Sequence, residues 1–208
     1  LSLSLTQIEN VYEFAKNNDL RVIEDAAHAF GSRYNNKYVG SFGDIVCFSF
    51  DGIKNITSGE GGCVITNDLE IMRKIKDARL LGVSEDSEVR FEGKRKWEFD
   101  VLEQGWRYHM SDIMASIGLS QLNKLELFRG KRQNLAKRYD SKLKEFNKVS
   151  FFKRDYDSII PHIYPIKIPT HSDRKSFIAY MENKNIQTGI HYKPNHLLKY
   201  FKDDNLEP

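Results

Sequence analysis

Apolar positions follow two rhythms along the first third of the chain. Ile8, Val11, Tyr12 and Ala15 recur at i, i+3, i+4 and i+7, which predicts an amphipathic helix. Thr6-Gln-Ile-Glu9 has the hydroxyl-x-x-carboxylate spacing of a capping box at its start, and Asn17-Asn-Asp19 ends it. Residues 20–23 predict a short strand that runs straight into Glu24-Asp25-Ala26-Ala27-His28. Residues 31–40 carry turn chemistry with Asn35-Asn36 at a hairpin tip. Two β-branched runs, 45–50 and 63–66, predict buried strands joined by a glycine-rich loop that holds one lysine, Lys54.

Further along, Thr66-Asn-Asp68 starts a helix over about 69–81, with Ile71, Met72, Ile75 and Ala78 on one side and Gly82 closing it. Residues 83–104 are dense in both charges and predict an exposed loop with short strands. Gly105-Trp-Arg-Tyr-His-Met110 gathers a cation and three rings. Ser111-Asp112 cap a long helix, small and apolar at first, charge-rich from about 124, with Gly130 as its bend. Residues 162–168 alternate as a strand, a helix runs from Ser172-Asp173 to about 183, and 186–194 read as a strand with its exit.

Helix, turn, strand and acid in succession are the rhythm of an α/β unit with a mixed, mostly parallel sheet and flanking helices. Residues 1–130 are expected to form part of this large domain. Residues 131–208 are expected to supply a linking helix and part of a smaller α+β C-terminal domain.

Composition narrows the partners. The 208 residues are 40% hydrophobic and 29% charged, and 32 basic against 29 acidic residues leave +3. No basic footprint for nucleic acid is gathered anywhere, and no run approaches the roughly 18 apolar residues of a membrane span. Cys47 and Cys63 fall in predicted strands and read as small core residues in a reducing compartment, the cytoplasm. The chain opens without a methionine and directly into a helix signal, so a piece of a longer protein is expected.

Ligands of such sheets bind beyond the carboxyl ends of the strands, where Asp25, His28, Ser49 and Lys54 fall. Each has a plainer reading. Asp25 is also a helix N-cap, His28 a structural histidine, and Lys54 a solvated lysine on a surface turn. Together, a carboxylate and an amine across a pocket suit pyridoxal 5′-phosphate. The carboxylate keeps the pyridine nitrogen protonated, the lysine forms a Schiff base, and Ser49 with loop N–H groups holds the phosphate.

Those motifs carry a resemblance. Residues 22–29 (VIEDAAHA), Gly40-Ser-Phe-Gly-Asp44, Phe48-Ser-Phe50 with Lys54-Asn55, Gly59-Glu-Gly-Gly62, the Trp106 segment, residues 117–122 and Gly189-Ile-His-Tyr192 resemble the DegT/DnrJ/StrS sugar-nucleotide aminotransferases, which are fold type I pyridoxal-phosphate enzymes. The resemblance implies that Lys54 is the Schiff-base lysine and Asp25 the partner of the pyridine nitrogen. It also places Ala27 and His28 beside the cofactor, and Ser49 on its phosphate. Many members use asparagine where this chain has Arg107, to reach the phosphate in the partner subunit of a homodimer with shared active sites. Trp106, His191 and Tyr192 fall on the substrate side. The implied substrates are L-glutamate and a nucleotide-linked keto-sugar. A lyase or desulfurase of the same fold, or a cofactor-binding regulator, are the alternatives. The family's chains begin well upstream, with a glycine-containing phosphate loop and a stacking aromatic that this chain does not have, and its last segment is missing too. The chain is therefore expected to hold about half of one site, and such a piece alone to be inactive or poorly folded.

Overall fold

The computed structural model describes residues 8–84, 99–169 and 173–201. The expected cap at Thr6, the basic residues Arg90, Lys94, Arg95 and Lys96, and the helix start at Ser172 lie outside them. The chain divides into two compact units, Leu1–Ile166 and Lys167–Pro208.

In the first unit, helix α1 (Ile8–Asn17) turns Ala15 into the interior. Its apolar stripe is narrower than the periodicity predicts, because Val11 stays exposed. Tyr12 instead anchors the helix. Its hydroxyl donates to Glu24 and accepts from the Asp44 backbone N–H at 3.2 Å. Strand β1 is Ile23–Asp25, later in the chain than the run at 20–23 predicts. Arg21 lies outside the ladder, with Nε at 2.6 Å from Asp44 Oδ2 and Nη1 at 3.1 Å from Asp68.

Strands β2 (Arg33–Tyr34) and β3 (Lys37–Tyr38) form the expected hairpin. Asn35 and Asn36 both take positive φ, 47° and 63°, as a two-residue primed turn demands. Strand β4 (Ile45–Ser49) lies parallel to β1, and β5 (Gly62–Thr66) lies antiparallel to β4. The sheet order is thus β1-β4-β5, with one pair of each sense. Only β4 is buried as expected. Among the described residues β5 is an edge strand, with Val64 and Ile65 each 41% exposed.

The pleat sorts the sheet. Val46, Phe48 and Cys63 face a core shared with Ala26, Ala29 and Val39, completed by Phe30 and Phe50. Registered partners share a face, so Asp25, Cys47, Ser49, Val64 and Gly62 lie on the other one.

Helix α2 (Leu69–Ala78) follows, capped by Asp68, whose Oδ1 accepts from Glu70 and Ile71 N–H. Beyond it Gly82 (φ +74°) and Gly105 press backbone on backbone. Trp106 and Tyr108 then bond back to Ala78 and Arg79. The expected long helix is two helices, α3 (Asp112–Leu122) and α4 (Leu125–Leu143), broken at Asn123–Lys124. Gly130 does not interrupt the helix and sits within α4. Short strands β6 (Ser150–Phe151) and β7 (Ile166–Lys167) pair at the end of this stretch. In the second unit, Asp173 caps α5 (Arg174–Asn183), and residues 186–194 are irregular where a strand was expected.

Candidate active site

Strand β1 ends on Asp25, which is exposed and accepts the Ala27 N–H at 3.1 Å. An aspartate bonding two residues on is an Asx turn, so the chain leaves the sheet here and not into a helix. Ala27 and His28 in the following turn are half-buried. Across the ladder from Asp25 stands Cys47, and Ser49 follows on the same face as the last residue of β4. Ser49 Oγ accepts the Asp51 N–H at 3.4 Å, and the residue pairs with Gly62.

The lysine loop is anchored at both ends. Asp51 accepts from Ile53 through its side chain and from Lys54 through its carbonyl, so Lys54 occupies a tight turn and is half-buried. Its neighbours are fixed inside: Asn55 and Ile56 are each 4% exposed. Thr57 Oγ1 and the Ser58 N–H both return to the Phe50 carbonyl, at 3.1 and 2.9 Å. Helix α3 closes over the loop. A Cβ on Gly118 would meet the Ser58 Cβ at 3.5 Å, and one on Gly59 would meet Met114 Sδ at 3.2 Å. The small residues opening α3 are therefore there for close approach to this loop.

Cys47 is not a core residue. It is half-buried on the Asp25 face, whereas Cys63 packs against the core. Burial, and then the charge of Asp25, push the Cys47 thiol above the ordinary range. At neutral pH it stays protonated and is a poor nucleophile.

The sheet end thus gathers Asp25, Ala27, His28, Ser49 and the Lys54 turn. Trp106 and Arg107 lie elsewhere in the same unit. They are exposed on the segment bound to the end of α2, with Trp106 stacked on Tyr108 at 6.2 Å. Trp106 lines a cleft of about 1060 Å³ along β5, to which Cys47, Glu60 and Met110 contribute and Asp25, His28, Ser49 and Lys54 do not. His191 and Tyr192 belong to the second unit, exposed and stacked on each other at 4.6 Å. His162 meets His28 ring to ring, a contact that the sequence alone does not signal. The alternation around residue 162 reads only as a strand.

The sequence matches the DegT/DnrJ/EryC1/StrS aminotransferase family over residues 4–208. The chain belongs to that family. It is 33% identical over 202 residues to the UDP-4-amino-4,6-dideoxy-N-acetyl-beta-L-altrosamine transaminase of Campylobacter jejuni, covering 94% of this chain and 51% of that one. Over 200 residues it is 30% identical to the spore coat polysaccharide biosynthesis protein SpsC of Bacillus subtilis, again covering 94% and 51%. Among solved structures, PseC of Helicobacter pylori, an aminotransferase involved in the biosynthesis of pseudoaminic acid, superposes with a TM-score of 0.85 at 30% identity. That match covers 96% of this chain and 53% of PseC. The chain spans about half the length of the curated relatives it matches. The likeness bears out the fold type I reading of the α/β unit and the family resemblance. Among the described residues no helix is long and apolar enough to cross a membrane.

Proposed function

We propose that the protein containing this chain is a pyridoxal-phosphate-dependent aminotransferase that moves an amino group from L-glutamate to the keto group of a nucleotide-linked deoxyhexose. One observation carries this reading. A carboxylate and a hydroxyl share one face at the end of a parallel strand pair, and the loop that leaves the second strand carries the family's lysine in an anchored turn. Pyridoxal 5′-phosphate is the cofactor of the family's aminotransferases, and the names of the relatives support amino transfer to UDP-linked or polysaccharide-precursor sugars. The donor set fits the group: an acid for a ring nitrogen, an amine for an aldehyde, a hydroxyl for a phosphate.

When bound, the cofactor supplies a carbonyl that captures amino groups and a ring that takes up electrons from the attached carbon. Asp25 holds the proton on the ring nitrogen, and Ser49 Oγ with loop N–H groups binds the phosphate. Ala27 and His28 line the ring. Lys54 Nζ would hold the cofactor's aldehyde and, as the free amine, would act as the general acid/base that moves a proton between substrate carbon and cofactor carbon. Arg107 is exposed, and its planar cation suits a phosphate in the partner of a homodimer. Trp106, His191 and Tyr192 are assigned to the sugar side. Free thiols at Cys47 and Cys63 support a reducing compartment, the cytoplasm.

Absorbance of the full-length protein tests this reading. Added pyridoxal phosphate should give a visible band that L-glutamate bleaches and a nucleotide keto-sugar restores, and Lys54→Ala should abolish it. A band that no amino donor bleaches refutes transamination and leaves a lyase or a binding protein of the same fold.

A further inference from the structure

A segment far downstream enters the sheet-end site. The imidazole of His162 lies against that of His28, with ring centroids 4.2 Å apart and planes inclined by 36°. Both ring nitrogens of His162 are shielded from solvent. The segment carrying it is held to the site from three sides. Ser32 Oγ accepts the Ile160 N–H at 3.0 Å, and the Arg33 N–H donates to Ser158 at 2.7 Å. Asn55, next to Lys54, donates to the carbonyls of both Phe30 and Ile160, at 3.1 and 3.4 Å. Arg132 on α4 donates to the carbonyls of Pro161 and His162 at 3.2 and 3.3 Å. The two imidazoles therefore meet in a frame that also fixes the lysine turn.

We infer that His162 is a positioning residue of the cofactor site, holding the His28 ring by face contact. The inference rests on the pyridoxal-phosphate reading of that site. A ring with one packed face loses rotational freedom about its terminal torsion, which is otherwise broad. His28 then meets a ligand already oriented, which lowers the ordering cost of binding. Because the contact is ring on ring, another flat ring should replace it.

A double-mutant cycle on the full-length protein, read as the dissociation constant of pyridoxal phosphate and the position of its visible band, tests this. His162→Ala should weaken binding about tenfold and shift the band, His162→Phe should restore both to within about threefold, and in a His28→Ala background His162→Ala should add nothing. Additive effects, wild-type binding by His162→Ala, or a His162→Phe variant as poor as alanine each overturn the inference. If His162→Ala does not fold, by thermal unfolding, His162→Leu takes its place. Failure of both gives His162 a purely structural role and also overturns it. A wild-type protein that shows no band with pyridoxal phosphate defeats the cofactor reading itself, whereas a normal wild-type band with additive mutants defeats only the role of His162.

Discussion

Asn55 gives its amide hydrogens to two carbonyls, those of Phe30 and Ile160, from a position only 4% exposed. Removing it leaves a buried acceptor on Ile160 and a partly buried one on Phe30 without that donor, and the penalty is their desolvation. Asn55→Ala should therefore lower the unfolding free energy of the full-length protein by about 1–3 kcal/mol, seen as a lower urea midpoint at unchanged slope. Asn55→Asp should cost more, since a carboxylate would face two carbonyl oxygens. An unchanged midpoint in either variant would show that the bridge contributes nothing. At this scale the sequence is legible where the signal is local. Ser49 and Lys54 stand out because strand-forming residues give way abruptly to glycine-rich chain, and Asp25 because an acid closes a short strand. The partners of Asn55 do not, because Ile160 is 105 residues away and only tertiary packing brings it in. His162 is hidden for the same reason. Cys47 misleads because a continuous apolar run does not say whether both faces of its strand are covered.

Helix starts were readable because their caps are side-chain chemistry. Asp68, Ser111 and Asp173 each accept the N–H groups their spacing promises. The break between α3 and α4 was not, since Asn123–Lys124 contains neither proline nor glycine and Gly130 drew the bend to itself. Nothing lies within 4 Å of a Cβ built on Gly130, and its φ is not positive. Gly130→Ala should thus stabilise the protein by about 0.5–1 kcal/mol through helix propensity, read as a raised denaturant midpoint. The same helix sets a pH dependence. Asp140 Oδ1 on α4 accepts hydrogen bonds from the hydroxyls of Tyr156 at 2.9 Å and Tyr164 at 2.6 Å. Burial, then the bond to Asp140, raises both phenol pKa values. A folded pKa above the unfolded one means that the contribution is whole below the ordinary tyrosine value near about 10 and falls as pH rises past it. Thermal midpoints should fall steadily as pH rises past about 10, less steeply in Tyr164→Phe. An identical slope in that variant would remove Asp140 and Tyr164 from the account.

The whole chain poses a question of coverage. On the site face Ile23 is 70% exposed, and on the surrounding helices Leu69 and Ile113 are each 74% exposed. β5 presents an edge with half-exposed Val64 and Ile65 among the described residues. Sheet edges and exposed large apolar side chains of this kind can template association unless something covers them. The relatives are about twice as long, so additional chain is available to do so in a protein of family length. Residues 1–208 produced alone should then bind a hydrophobic dye such as ANS, self-associate on size exclusion and give no stable visible band with pyridoxal phosphate. The full-length protein should bind little dye and elute as one species, the homodimer. A monomeric, dye-silent piece of 208 residues would mean that this surface tolerates water. The reason for its apolar character would then have to be sought in the substrate and not in the rest of the fold.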